Sequence, residues 1–167
     1  SDTAERRCSM PITEYLENNA RLYKDDISLV EINPALPDKS LVTWKEFSLI
    51  ETSNYDKSRS EITWSDFNKK ANRFANLLLS RGIKKGDKVA ILLMNSIEWL
   101  PIYFGILKTG ALAVPLNFRY TSDEIKYCLT LSDSNSLVFG PEFIGRIEEI
   151  CERLHNIKPL LYVGNEC

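Results

Sequence analysis

The sequence predicts an α/β protein, a mostly parallel, doubly wound sheet with helices on both faces. Three observations predict it. Gly86–Leu116, GDKVAILLMNSIEWLPIYFGILKTGALAVPL, is a nearly continuous apolar run punctuated by glycine and proline. That pattern suits one βαβ unit of a sheet buried on both sides. From Lys88 onward, strand-like and helix-like segments alternate as β-α-β-α-β-α-β, the order of a parallel sheet with right-handed crossovers. Two of the helical segments carry a matching apolar stripe: Phe67, Ala71, Phe74, Ala75 and Leu78 in one, and Phe143, Ile147, Ile150, Cys151 and Leu154 in the other. Such stripes cover one face of a sheet.

Each element follows from its local residues. Pro11–Lys24 places Ile12, Tyr15, Leu16, Ala20 and Tyr23 along one side of a helix, which Asp25-Asp26 ends. Ser28–Ile32 reads as a strand broken by Asn33-Pro34. Residues 37–61 are polar and read as irregular, with a short strand near Leu41–Trp44. Thr43-Trp44-Lys45-Glu46-Phe47 is echoed by Thr63-Trp64-Ser65-Asp66-Phe67. Two copies are too few for a repeat architecture, so the echo reads as a local insertion or chance. The second copy is the better helix start. Thr63 caps a helix over Trp64–Arg81, with Asp66 reaching back from the third helical position. Gly82 stands where a left-handed cap is wanted. Lys88–Met94 is a buried strand.

Asn95 or Ser96 is expected to cap the next helix, which runs to about Thr109. Pro101 would clash with the carbonyl of Ile97, so the expectation is a kink, or a helix that begins near Leu100. Gly110 closes that helix and Ala111–Leu116 is the next strand. Thr121-Ser122-Asp123-Glu124 is a capping box. It opens a helix with Ile125, Cys128, Leu129 and Ser132 on one face. Ser136–Phe139 is a strand, Glu142–His155 a helix and Pro159–Val163 the last strand. The chain therefore reads as one incomplete domain. Residues 1–60 form a leading helix and strands with an irregular loop, and 61–163 form the sheet core. The start at Ser1 without methionine and the stop at Cys167, just past an apolar run, are read as cut ends.

Composition narrows the function classes. The 167 residues carry a formal net charge of -2, with no basic surface of the kind nucleic acid or an anionic membrane attracts. The densest basic run, Arg81–Lys88, contains an acid and reads as a solvated turn. Cys8, Cys128, Cys151 and Cys167 form no CxxC pair and His155 is the only histidine, so no metal site is expected. Scattered thiols without a signal peptide point to the reducing cytoplasm. Trp99–Phe118 is long enough to span a bilayer and has one charge, Lys108. Its two glycines and two prolines, and the change of period near Gly110, favour a buried α/β unit instead.

Open parallel sheets bind ligands beyond the carboxyl ends of their strands. The loops there are Asn95-Ser96, Asn117–Tyr120, Gly140-Pro141 and Gly164-Asn165, none of them glycine-rich. No GxGxxG or GxxxxGK[ST] occurs. Gly105–Gly110 and Gly140–Gly145 have the glycine spacing of a phosphate loop without its lysine and hydroxyl. His155 reads as a surface or capping residue, and Glu148-Glu149, Lys69, Lys70 and Lys126 as solvated. No complete catalytic site is legible. The loop Asn117-Phe118-Arg119-Tyr120 stands out, because it follows a buried strand and precedes a helix N-terminus. Arg119 is a candidate to hold a phosphate or carboxylate there. The plainer reading pairs it with Asp123 or Glu124.

Leu107-Lys108-Thr109-Gly110-Ala111-Leu112-Ala113-Val114-Pro115-Leu116-Asn117 resembles the adenylate-forming superfamily, and its acyl-CoA synthetases most of all. Gly86–Leu92, Asn95-Ser96-x-Glu98-Trp99 and Thr63-Trp64-x-Asp66-Phe67 resemble the same family in the same order. Asn117-x-Arg119-x-Thr121, with Glu124 after it, leans towards acyl-CoA ligases. The resemblance covers about residues 10–163. It implies an enzyme several times longer that joins a carboxylic acid, fatty by preference, to ATP with magnesium. Pyrophosphate is released and the acyl group passes to coenzyme A. The superfamily's phosphate loop, adenine-binding motif, hinge and catalytic lysine lie after this region, so no catalytic residue carries over and this stretch alone is expected to be inactive and to hold no cofactor. Asn117, Phe118 and Arg119 fall where related synthetases approach the coenzyme A tunnel. The partners implied are the remainder of the chain, a small carboxylic acid and, through an unpaired sheet edge, a second copy. A free-standing flavodoxin-like binding module and a peptide-synthetase adenylation fragment are the alternatives.

Overall fold

The structure, a computed structural model, describes residues 10–32 and 59–164. The predicted Leu41–Trp44 strand and the first copy of the Thr-Trp echo lie outside the described residues. The elements are α1 (Ile12–Leu22), β1 (Ile27–Ile32), β2 (Arg59–Thr63), α2 (Trp64–Ser80), β3 (Lys88–Leu92), α3 (Trp99–Lys108), β4 (Leu112–Pro115), α4 (Ser122–Leu131), β5 (Ser136–Phe139), α5 (Ile144–Glu148) and β6 (Leu160–Tyr162). β3 to β6 form a parallel sheet in the order β4-β3-β5-β6, and β1 pairs with β2 as a separate antiparallel ribbon.

The predicted two-sided burial is present. Val89, Ile91 and Leu93 point to one face, where Leu78 of α2 and Ile102 and Ile106 of α3 cover them. Ala90 and Leu92 point to the other, against Ile125 and Leu129 of α4 and Phe143, Ile147 and Ile150 from the segment after β5. Alternation along β3 thus divides its side chains between two cores, the period-two geometry of a strand. A third, smaller core joins α1 to α2 through Leu16, Phe67 and Ala71. There Phe67 meets Phe104 edge-on, with ring centroids 5.3 Å apart.

The helix signals behave as their chemistry requires. Thr63 accepts a hydrogen bond from the Asp66 backbone N–H at 3.1 Å. Gly82, just past α2, has φ of +88°, a conformation that any residue with a Cβ adopts at a cost. Thr121 and Glu124 form both arms of the capping box that opens α4.

Three expectations need correction. Residues 59–61, read as irregular, begin β2. The ribbon was hidden because Arg59–Thr63 has a single apolar residue, Ile62, and its pairing partner lies far back in the chain. Neither Asn95 nor Ser96 caps α3. The helix starts at Trp99, with Glu98 before it, so Pro101 falls in the first turn, where the missing N–H has no helical partner to lose. The predicted helix Glu142–His155 is broken into a 3-10 turn at Pro141–Phe143, the short α5 and a second 3-10 turn at Cys151–Arg153. Gly145 weakens the helix interior. The stripe survives the break in Phe143, Ile147, Ile150 and Leu154, all buried, but Cys151 is exposed.

Candidate functional site

The strand order fixes where a ligand crevice forms. β3 connects to β4 on one side, while β5 and β6 lie on the other, so the chain reverses direction between β3 and β5. Crevices of open parallel sheets open at that switch point. A cleft of about 550 Å³ lies there, lined by the segments after β3 (Leu93–Ser96), after β5 (Gly140–Glu142) and after β6, with Glu31 and Ile32 of β1 as a wall. Its described rim is acidic, with Glu31, Glu98 and Glu142. Two of these carboxylates are committed to the fold. Glu31 accepts from the Ile97 N–H at 3.2 Å, and Glu98 pairs with Lys70 at 2.5 Å. Such a rim disfavours phosphate.

Both glycine pairs with phosphate-loop spacing are structural. Gly105 lies inside α3 against α2, and Gly110 forms the turn after that helix. Gly140 precedes a 3-10 turn and Gly145 is inside α5. None of these four forms a phosphate cradle.

The predicted site loop follows β4, at the same end of the parallel sheet as the cleft but not among its lining residues. Asn117, Phe118 and Arg119 are brought together and all three are exposed. The Asn117 side chain turns inward on its own loop and accepts from the Arg119 N–H at 2.9 Å. The Tyr120 N–H donates to the Asn117 carbonyl at 3.1 Å, which closes a tight turn. Phe118 and Arg119 face solvent, with the guanidinium 5.4 Å from the Phe118 ring centroid. An exposed guanidinium beside an exposed aromatic ring is a donor set that fits a phosphate-bearing ligand with a flat base. The α4 N-terminus contributes less than expected. Its Glu124 N–H is taken by the Thr121 hydroxyl, and Asp123 and Glu124 place negative charge in its first turn.

Sequence reasoning missed what holds this loop. Arg146 of α5 reaches across the end of the sheet and donates from one nitrogen, Nη1, to two backbone carbonyls, Phe118 at 2.7 Å and Tyr120 at 3.0 Å. Glu149 accepts from the Ser122 hydroxyl, and Arg153 pairs with Asp123 at 3.0 Å. Glu149, read as solvated, is therefore engaged. Residues 146, 149 and 153 are spaced as one helical stripe. A polar stripe flanking the apolar one was the available signal.

The capping box also sets a charge state. Hydrogen bonds from Thr121, the backbone N–H first and the hydroxyl second, hold the Glu124 carboxyl below its ordinary value of 4.5. The folded form therefore favours the carboxylate. Its stabilising contribution is present above the ordinary glutamate range and lost as pH falls through the lowered folded value. Glu124→Gln, which can still close the box, is expected to flatten the fall of the melting temperature in acid. Melting curves from neutral pH down to acid check this, and parallel curves for the two proteins would refute it. Nearby, the Tyr120 phenol is raised above 10.0, first by the charge Cys128 carries once ionised and then by burial.

Residues 34–164 match the AMP-binding enzyme family. The chain belongs to that family. Among its relatives, a medium/long-chain-fatty-acid–CoA/3-oxocholest-4-en-26-oate–CoA ligase of Mycolicibacterium smegmatis is 40% identical over 94 residues, covering 56% of this chain and 17% of the relative. The long-chain-fatty-acid–CoA ligase FadD13 of Mycobacterium tuberculosis is 41% identical over 76 residues, covering 46% and 15%. The structure of the N-terminal domain of FACL13 from Mycobacterium tuberculosis superposes with a TM-score of 0.59 at 32% identity, over 62% of this chain and 27% of that one. A long-chain-fatty-acid-CoA ligase (FadD1) from Archaeoglobus fulgidus gives a TM-score of 0.73 at 18% identity, over 92% and 27%, a likeness of fold alone. The matches take in less than a fifth of the length of these two curated relatives. No helix among the described residues is long and apolar enough to cross a membrane. Trp99–Phe118 holds α3, the Gly110 turn and β4, the α/β unit expected.

Proposed function

We propose that this chain is the N-terminal portion of an acyl-CoA ligase, with residues 1–60 as a leading segment ahead of the core at 61–163. The ligase joins a carboxylic acid, fatty by preference, to AMP with release of pyrophosphate, and passes the acyl group to coenzyme A. The observation that carries this reading is the family match over residues 34–164, together with fatty-acid–CoA ligases at about 40% identity. Those relatives favour coenzyme A chemistry over a peptide-synthetase adenylation domain. On this reading ATP and magnesium are held by the rest of the polypeptide, which also completes the acid pocket. Of the residues here, Phe118 and Arg119 would meet coenzyme A, Arg119 by charge to phosphate and Phe118 by stacking, while Asn117 keeps their turn closed. The setting is the cytoplasm, and a second copy meets the first along an open sheet edge.

The test uses the complete polypeptide that contains this segment. ATP–pyrophosphate exchange dependent on a fatty acid, followed by thioester formation with coenzyme A, is expected, and the 167-residue chain alone is expected to give neither. Arg119→Ala should raise the KM for coenzyme A about tenfold, the loss of one charge-assisted contact, with the KM for acid and ATP at wild-type values. Exchange driven by an amino acid with no thioester from coenzyme A would overturn the reading.

A further inference from the structure

We propose that Arg146 is a positioning residue for coenzyme A: it holds the Asn117–Tyr120 turn in the form that presents Phe118 and Arg119. This rests on the reading of that turn as the coenzyme A approach.

The turn is short and at the end of an edge strand, the place where backbone is least constrained; Asn117, Phe118 and Arg119 are exposed, and the Tyr120 side chain packs on the core beneath them. Its internal bonds, Asn117 Oδ1 to the Arg119 N–H and the Asn117 carbonyl to the Tyr120 N–H, close the turn but do not tie its backbone to the body of the protein. Arg146 ties that backbone, beside the packing of the Tyr120 side chain. Its Nη1 carries two hydrogens, and the carbonyls of Phe118 and Tyr120 lie on either side of Arg119, at 2.7 and 3.0 Å. A single amino group thus fixes the backbone both before and after the residue proposed to meet phosphate. The other side of the clamp is anchored as well. The Arg146 guanidinium lies 5.5 Å from the Phe143 ring centroid, and Phe143 is buried in the core. The contact therefore runs from the core after β5, through one side chain, to the loop after β4, and spans the end of β3 between them. Ser122 on Glu149 and Asp123 on Arg153 extend the same seam to the start of α4. A charged donor holds the two carbonyls more strongly than a neutral one or water would at this half-exposed site. An ammonium keeps that capacity and an alanine removes it.

Three variants of the complete polypeptide test this: Arg146→Ala, Arg146→Lys and Arg119→Ala. Amide hydrogen exchange over residues 118–121 reads the clamp, and the KM for coenzyme A against the KM for acid and ATP reads its purpose. Arg146→Ala is expected to speed exchange in the turn and raise the coenzyme A KM about tenfold, with the other two KM values unchanged and Arg146→Lys recovering most of both effects. Unchanged exchange in Arg146→Ala overturns the proposal. So does faster exchange with an unchanged coenzyme A KM while Arg119→Ala raises it. If Arg119→Ala and Arg146→Ala both leave that KM unchanged, the coenzyme A reading of the turn falls, and the proposal falls with it by a separate signature.

Discussion

Gly105→Leu is expected to abolish stable folding of this domain. Gly105 sits in the middle of α3 where that helix crosses α2. A Cβ built there would lie 2.9 Å from the Ala71 carbonyl oxygen and 3.0 Å from Cβ and Cδ1 of Phe74. The first of those contacts is to backbone, so no rotamer change relieves it and the two helices must separate. Separation would break the packing of Ile102 and Ile106 on β3, the α3 share of one sheet face. Gly105→Ala already carries the Cβ that meets the Ala71 backbone; a gain of about 1 kcal/mol in helix propensity against an overpacking cost of about 1–3 kcal/mol leaves a net loss of up to about 2 kcal/mol. Leucine adds the clash of a branched side chain to the same backbone, for a loss of about 4 kcal/mol or more. Guanidinium unfolding of the three proteins ranks them. A Gly105→Leu midpoint equal to the parent's would show that α2 and α3 do not meet as described.

Phe143→Ala has the second largest expected effect. The ring is 2% exposed and packs with Leu92, Ile125, Leu137 and Ile147 on the opposite sheet face. It belongs to a 3-10 turn between β5 and α5. Removing it leaves a cavity on that face and costs about 3–5 kcal/mol. Phe143→Leu keeps most of the volume and should cost about 1.5 kcal/mol or less. Urea unfolding separates the two variants. A Phe143→Ala loss below that of Phe143→Leu would mean the ring is not the anchor of this segment. The truncation also removes the ring beneath Arg146, so it should loosen the Asn117–Tyr120 turn from the core side.

Much of this architecture was legible because its signals are local. The apolar period of Phe67, Ala71, Ala75 and Leu78 needs only the helix to declare which face is inward. Thr121 and Glu124 complete their box within one turn, and Gly82 declares a left-handed residue through its lack of a Cβ. Of the ribbon, β1 was legible as Ser28–Ile32 but β2 was not, since a strand with one apolar residue becomes a strand only when a distant partner satisfies its backbone. The break in the 142–155 helix was hidden for a related reason. Its apolar stripe is compatible with both a continuous helix and a broken one, and packing against the sheet chose the broken form.

The site divides in the same way. The chain itself singled out the Asn117–Tyr120 loop, with Arg119 as candidate, by its place between a buried strand and a capped helix, and the family resemblance added Asn117 and Phe118. It also determined the α/β class and the family, because hydrophobic period, turn residues and ordered motifs are written in neighbouring positions. Tertiary structure alone decided that β3 and β5 flank the crevice, that its described rim is acidic, and that Arg146 grips the turn from another element. Those facts depend on which strands lie side by side, and that is set by burial of whole faces summed over residues far apart in the chain.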